Sequence, residues 1–172
     1  MRQVVCYYKS MKSMIVAYDK RRAIGKNGGR PWDGGKLRGD MRRFRELSKG
    51  KSLIMGQRTF LLDVGGHALP NRQNIVLSRE NLAIPNVTVA HSLAEAYAAA
   101  EHEIAVIGGG QVFHEALGDV DVVYATEFDG DIKGDVFFPE LPANEWEEIS
   151  RENFKADEDN IYDYSFVTYR RK

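Results

Sequence analysis

Cysteine is nearly absent: Cys6 stands alone among 172 residues. A single thiol closes no internal disulfide and builds no cysteine-based zinc site, and it suits a reducing compartment. Excess charge is missing as well, since 24 Lys+Arg face 25 Asp+Glu for a formal net charge of -1. That balance supplies no overall field for nucleic acid or an anionic membrane, leaving only local basic patches. No apolar run approaches the roughly 18 residues needed to span a bilayer. The longest such run near the N-terminus, residues 4–8, is too short for a signal peptide's apolar segment. Internal repeats and low-complexity tracts are missing, and the histidines at 67, 91, 102 and 114 show no metal-ligand spacing. A cytoplasmic protein, monomeric, without metal, membrane or nucleic-acid partner, is expected.

What is present is ordinary globular composition, 43% hydrophobic and 28% charged, in a length that suits one domain. Short apolar segments at 13–18, 52–55, 74–77, 87–89, 104–107 and 120–126 read as strands. Helical patterns at 40–48, 58–63, 93–100 and 112–117 lie between them. Two further strands, near 146–154 and 162–170, follow one another without a helix. Strands alternating with helices predict an α/β fold, a single-domain doubly wound mixed sheet that is mostly parallel with helices on both faces. The last two strands form an antiparallel edge. Residues 19–39 and 127–141 read as long irregular stretches, of the kind that serve as lids or binding segments beyond the carboxyl ends of strands.

Several residues in this frame can carry chemistry. Gly108-Gly109-Gly110 lies between an apolar strand and a helix start, where bare backbone approaches a phosphate closely. A flexible strand-to-helix turn explains the same residues equally well. The string is not G-x-G-x-x-G, because position 113 is Phe. A Walker loop is excluded, because Lys36 is followed by Leu37 and the glycine required five residues before Gly35 is Arg30. Asp40 opens a helix and shares a face with Phe44 and Leu47, so its carboxylate is directed at apolar surroundings. Asp is also a favoured N-cap, and position alone favours the cap. Arg58, Arg72 and Arg79 stand at element ends where each can meet a phosphate or carboxylate. Arg38-Gly39-Asp40 also spells an adhesion tripeptide, with no secretion signal to support that reading.

In order, the chain carries Ile24-Gly25-Lys26-Asn27-Gly28, Pro31-Trp32, Leu37-Arg38-Gly39-Asp40-Met41-Arg42-Arg43-Phe44 and Ile54-Met55-Gly56-Gln57-Arg58-Thr59-Phe60. Then come Leu69-Pro70-Asn71-Arg72-Gln73-Asn74, Leu77-Ser78-Arg79-Glu80, Val106-Ile107-Gly108-Gly109-Gly110-Gln111-Val112-Phe113 and Gly134-Asp135-Val136-Phe137-Phe138-Pro139. This ordered set resembles dihydrofolate reductase across 11–172. The resemblance implies NADPH-dependent hydride transfer to the pterin ring of 7,8-dihydrofolate, with Asp40 orienting the pterin and promoting its protonation. It implies supporting roles for Trp32 and Thr126. Apolar walls come from Ile15, Ala17, Met41, Phe44, Leu69 and Ile107, and Arg72 meets the α-carboxylate of the folate tail. For the cofactor it implies Gly109, Gly110, Gln111 and Val112 at the pyrophosphate, with Arg58 and Thr59 beside them. Ser78 and Arg79 meet the 2′-phosphate, and Ala17, Ile24, Gly25 and Leu77 make further cofactor contacts. Residues 26–32 match the lid over the nicotinamide.

The chain departs from the pattern in four places. Arg30 replaces an apolar residue, Asp33-Gly34-Gly35-Lys36 lengthens the path to Asp40, Gln57 and Gln111 stand where arginine is common, and a short insertion falls around 61–66. Residues 1–10 lie outside the resemblance as an extension that catalysis does not need. A riboflavin-pathway reductase shares the architecture, but Asp40, Phe44 and Arg72 suit a pterin with a glutamate tail. A non-catalytic nucleotide-binding module is the other reading, supported only by Arg30 and the changed loop.

Overall fold

Residues that alternate between two apolar environments make a strand buried on both faces, and most of the central strands here do so. The computed structural model describes residues 11–29, 32 and 36–172. Chain order among them is β1 (Lys12–Tyr18), β2 (Ala23–Gly25), α1 (Arg38–Ser48), β3 (Ser52–Gly56), α2 (Gln57–Leu62), β4 (Gln73–Leu77), β5 (Val87–Ala90), α3 (Leu93–Ala99) and β6 (Ile104–Gly108). It continues with α4 (Gly110–Ala116), a 3-10 turn (Leu117–Asp119), β7 (Val122–Phe128), β8 (Val136–Phe137), β9 (Trp146–Phe154) and β10 (Tyr164–Arg171). The main sheet has the order β5-β4-β3-β6-β1-β7-β10-β9. Every pairing from β5 across to β7 is parallel, while β10 runs antiparallel to both β7 and β9.

Side-chain alternation assigns each helix its face. Met14, Val16 and Tyr18 join Ile54, Ile75 and Val106 under α3 and α4, with Ala96, Val112, Phe113 and Ala116 in the same cluster. The alternate residues Ile15, Leu53, Met55, Val76, Ala105 and Ile107 gather with Phe44 of α1 and Phe60 of α2. Helices therefore cover both faces, as the α/β reading requires. Phe60 is completely buried and anchors the second cluster.

Two elements fall in stretches expected to be irregular. β2 and β8 pair antiparallel across more than a hundred residues of chain. They are too short to show a period, and their pairing depends on close backbone approach. A Cβ on Gly134 would lie 2.6 Å from the Ala23 Cβ, so only glycine fits there. β7 begins at Val122 rather than 120, because Val120 is the C-cap of the preceding 3-10 turn and ladder pairing with β1 starts at Val122. β10 begins at Tyr164 rather than 162. Among the described residues no helix is long and apolar enough to cross a membrane. The expectations placed on 1–10, Arg30, Pro31 and 33–35 fall outside the described residues.

Candidate active site

The first turn of α1 is held from a distance. Leu37 occupies the N-cap position and makes no side-chain cap bond. Instead the Gly39 N–H donates to Asn160 Oδ1 at 2.9 Å, and the Arg38 N–H donates to the Asp159 carbonyl at 3.2 Å. Asn160 is buried, and its amide nitrogen donates in turn to Asp157 Oδ1 at 2.9 Å. The helix therefore starts two residues before Asp40. This corrects the N-cap reading: Asp40 is a half-buried first-turn residue, and the capping acceptor comes from the β9–β10 connection. A carboxylate in the first turn also gains from the partial positive charge of that helix end.

One turn further on, Arg43 fastens α1 to the sheet. Its guanidinium donates to the Ala125 carbonyl on β7 and to the Val167 carbonyl on β10, and its Cζ lies over the Phe166 ring, 4.5 Å from the centroid. The next residue of β7 is Thr126, which is 2% exposed and pairs in register with Ala17 of β1 and Phe166 of β10. Asp40's turn thus sits over the strands that carry Ala17 and Thr126. Burial lowers the guanidinium of Arg43 from its ordinary value, against the opposing pull of the charges on Asp40 and Glu152.

Around this turn the expected apolar walls are partly open. Ile15, Phe44, Leu69 and Ile107 are half-buried against the Leu53–Met55–Phe60 cluster. Ala17 and Trp32 pack instead with Phe128, Tyr164 and Phe166, and the Trp32 and Phe128 rings lie 5.3 Å apart. Met41 is among the exposed hydrophobics of α1. Arg72 is held by Ser48 Oγ at 2.9 Å, the Pro70 carbonyl at 2.6 Å and the Arg45 carbonyl at 2.9 Å. Burial and then the neighbouring charge of Arg45 pull its guanidinium below the usual value. A fork held this way is preorganised for a carboxylate, since little freedom remains to be lost on binding.

The glycine turn faces α2. A Cβ on Gly109 would lie 3.1 Å from Thr59 Oγ1, and one on Gly110 would lie 2.6 Å from Val136 Cγ1 and 3.9 Å from Ile24 Cδ1. This crowding brings Thr59, Ile24 and the glycine backbone together, as the cofactor reading needs. Gln111 is exposed and Val112 is buried at the start of α4. Gly25 is buried in β2, and Leu77 is half-buried at the end of β4. Arg58 is exposed, with its guanidinium against Gly28 of the 26–32 loop. Ser78 is buried; its hydroxyl donates to Gln57 Oε1 at 2.8 Å and accepts from the Glu80 N–H at 2.9 Å. Its hydroxyl proton is thus taken by Gln57, while the neighbouring Arg79 side chain is exposed.

Three positioning residues were not singled out from sequence. Asn160 supplies the cap, Arg43 the clamp, and Asn74 the shape of the turn that bears Leu69 and Arg72. Asn74 accepts from the Leu69 N–H at 3.0 Å and donates to the Leu69 and Arg72 carbonyls at 2.9 and 3.2 Å. Only Asn74 had a local signal, a polar residue opening an apolar strand. Tyr18 and Tyr169 point to the other side of the sheet, where both hydroxyls donate to Glu127 Oε1 at 3.0 and 2.6 Å. Arg151 reaches Glu127 Oε2 at 2.9 Å there. An open cavity of about 470 Å³ on that side borders this network and contains none of the expected site residues.

A mostly parallel sheet with helices on both faces, a half-buried carboxylate in the first turn of α1 and a glycine turn between β6 and α4 place the chain in the α/β class, with parts that suit a nucleotide-dependent enzyme. The family model described as dihydrofolate reductase matches residues 11–171. A dihydrofolate reductase of Haemophilus influenzae is 40% identical over 162 residues, covering 93% of this chain and 98% of that protein. One from Staphylococcus haemolyticus is 36% identical over 162 residues, with 92% and 95% covered. A solved structure of Enterococcus faecalis dihydrofolate reductase, complexed with NADP(H) and RAB-propyl, superposes with a TM-score of 0.84 at 35% identity, covering 95% of this chain and 97% of that one. The chain belongs to the dihydrofolate reductase family, which decides between the reductase readings in favour of folate.

Proposed function

We infer that the protein reduces 7,8-dihydrofolate to 5,6,7,8-tetrahydrofolate with NADPH, and that Asp40 is the carboxylate that serves the pterin. Family membership carries the reaction. The observation that carries the site is Asp40 itself, half-buried in the first turn of α1 above the Ala17 and Thr126 strands. NADPH, when bound, supplies the hydride. The crowded Gly109–Gly110 turn and the exposed guanidinium groups of Arg58 and Arg79 fit a cofactor with a pyrophosphate and a 2′-phosphate.

The remaining work belongs to this chain's residues. Asp40 accepts hydrogen bonds from the pterin's amino group and ring N–H, which fixes the ring's orientation and favours protonation of the nitrogen next to the reduced carbon. Thr126 and Trp32 hold that arrangement from β7 and the lid. Ile15, Ala17, Met41, Phe44, Leu69 and Ile107 surround the rings with apolar atoms, which strengthens polar contacts by excluding water. Arg72 anchors the α-carboxylate of the tail. Gln111 and Val112 complete the pyrophosphate turn, Thr59 supports it, and Ser78 joins Arg79 at the 2′-phosphate by turning its hydroxyl from Gln57. Ile24, Gly25 and Leu77 border the nicotinamide and adenine ends. Residues 26–32 close over the site. The reductase domain takes in 11–172, residues 1–10 are dispensable for catalysis, and the protein works as a cytoplasmic monomer without nucleic acid, in keeping with its near-neutral charge.

Single-turnover kinetics of Asp40→Asn test the site. The variant is expected to bind NADPH normally and to lose most of its hydride-transfer rate. Near-parental transfer at neutral pH contradicts the assignment.

A further inference from the structure

Arg43 stands three residues after Asp40 on α1, a spacing that makes the two side chains neighbours on one helix face. Unlike the exposed arginines at 38, 42 and 45 of the same helix, it is half-buried and fixed. One of its terminal nitrogens donates to the Ala125 carbonyl, the other to the Val167 carbonyl at 3.3 Å, and its Cζ lies 4.5 Å from the Phe166 ring centroid. We propose that Arg43 is a positioning residue for the reduction, a clamped positive charge that holds Asp40 ionised and aimed into the cleft while the pterin is protonated. The proposal rests on the reading of Asp40 as the pterin carboxylate.

Both hydrogen-bond acceptors of Arg43 are neutral carbonyl groups, and so is the aromatic face, so none of them cancels its charge. The charged and titratable groups that act on it are Asp40 from its own helix, Glu152 from β9 and Tyr124 from β7. Tyr164 of β10 also lies within reach of the charge on Asp40, together with those on Asp157 and Arg42. In this set Asp40 has a fixed cation one turn away in half-buried surroundings, where water and salt screen less than at a surface. The family resemblance assigned Arg43 no role, and its three contacts with β7 and β10 otherwise read as a mechanical tie.

Charge and tie are separated by two substitutions. Arg43→Met removes the charge and keeps an extended side chain against Phe166; Arg43→Lys keeps a charge and loses the two-carbonyl fork. Single-turnover hydride transfer is measured across about pH 5 to 9 for the parent and both variants, with urea unfolding alongside. Arg43→Met is expected to move the pH midpoint of the rate upward by roughly one pH unit, since the carboxylate loses a neighbouring cation. Arg43→Lys is expected to keep the parental midpoint although, like Arg43→Met, it loses stability. Should Arg43→Met not fold, Arg43→Gln takes its place with the same expectation. A neutral variant whose profile superimposes on the parent's overturns the proposal, and so does a lysine variant that shifts as far as the methionine one. Asp40→Asn separates the two levels. If it loses transfer while Arg43→Met leaves the profile in place, only the role of Arg43 fails; if Asp40→Asn transfers hydride at the parental rate, the reading of Asp40 fails with it.

Discussion

Replacing Asn160 by alanine removes the acceptor that the Gly39 N–H uses at 2.9 Å and the donor that reaches Asp157 Oδ1. Gly39 is buried in α1, so its N–H has no ready access to water once Asn160 is gone. A buried donor left without a partner costs about 1–3 kcal/mol, and a lost N-cap in general about 1 kcal/mol. Asp157 is exposed and adds nothing that needs counting. The expected loss is therefore about 1–3 kcal/mol in urea unfolding at neutral pH. Function should follow the geometry. Loosening the first turn of α1 displaces Asp40, so KM for dihydrofolate rises, whereas NADPH binding on α2 and the glycine turn stays near the parental value. Asn160→Asp keeps an acceptor for Gly39 but sets a second carboxylate against Asp157, and should fall between parent and alanine variant. An unfolding free energy within about 0.5 kcal/mol of the parent for Asn160→Ala would refute the claim that this remote amide holds the helix start.

Arg72→Leu should weaken dihydrofolate binding by roughly ten- to a hundredfold, the worth of a charge-assisted bidentate contact, while fluorescence titration finds NADPH affinity preserved; equal losses on both ligands contradict its place at the tail. Phe60→Ala should cost about 3–5 kcal/mol in denaturant unfolding, because Phe60 is fully buried in the cluster beneath α2, and a loss below about 1 kcal/mol would show that this cluster does not support the site. At alkaline pH, burial first and then Glu127 hold the Tyr18 and Tyr169 hydroxyls protonated well above the usual tyrosine range. A folded pKa raised in this way gives stability that is complete below the unfolded value of about 10 and is lost as pH rises beyond it. Ultraviolet titration of the eight tyrosines should leave some un-ionised until the chain unfolds, and ionisation of all of them in the folded state speaks against the buried network.

Much of the architecture was legible because its signals are local. Strands β1, β3, β4 and β6 announce themselves as apolar runs, and each observed boundary lies within a residue or two of the reading. β2 and β8 were not legible, since three- and two-residue strands have no period and exist only through a partner far along the chain. The start of α1 was misplaced for the same kind of reason. A sequence containing Asp40 offers a cap, whereas the acceptor used is Asn160, some 120 residues away. Arg58, Arg72 and Arg79 stood out as basic residues at element ends, but what holds Arg72 is a set of backbone carbonyl groups and Ser48, none of them recognisable beforehand. Arg43 had no signal of its own in the sequence; only the strand order β1-β7-β10 brings it over two carbonyl acceptors and a ring.

The most direct measurement follows NADPH absorbance with the purified protein, with and without dihydrofolate, and with NADH in parallel. The account predicts loss of absorbance that requires dihydrofolate, is faster with NADPH than with NADH, and yields tetrahydrofolate. NADPH that binds but is not consumed in the presence of dihydrofolate would contradict it.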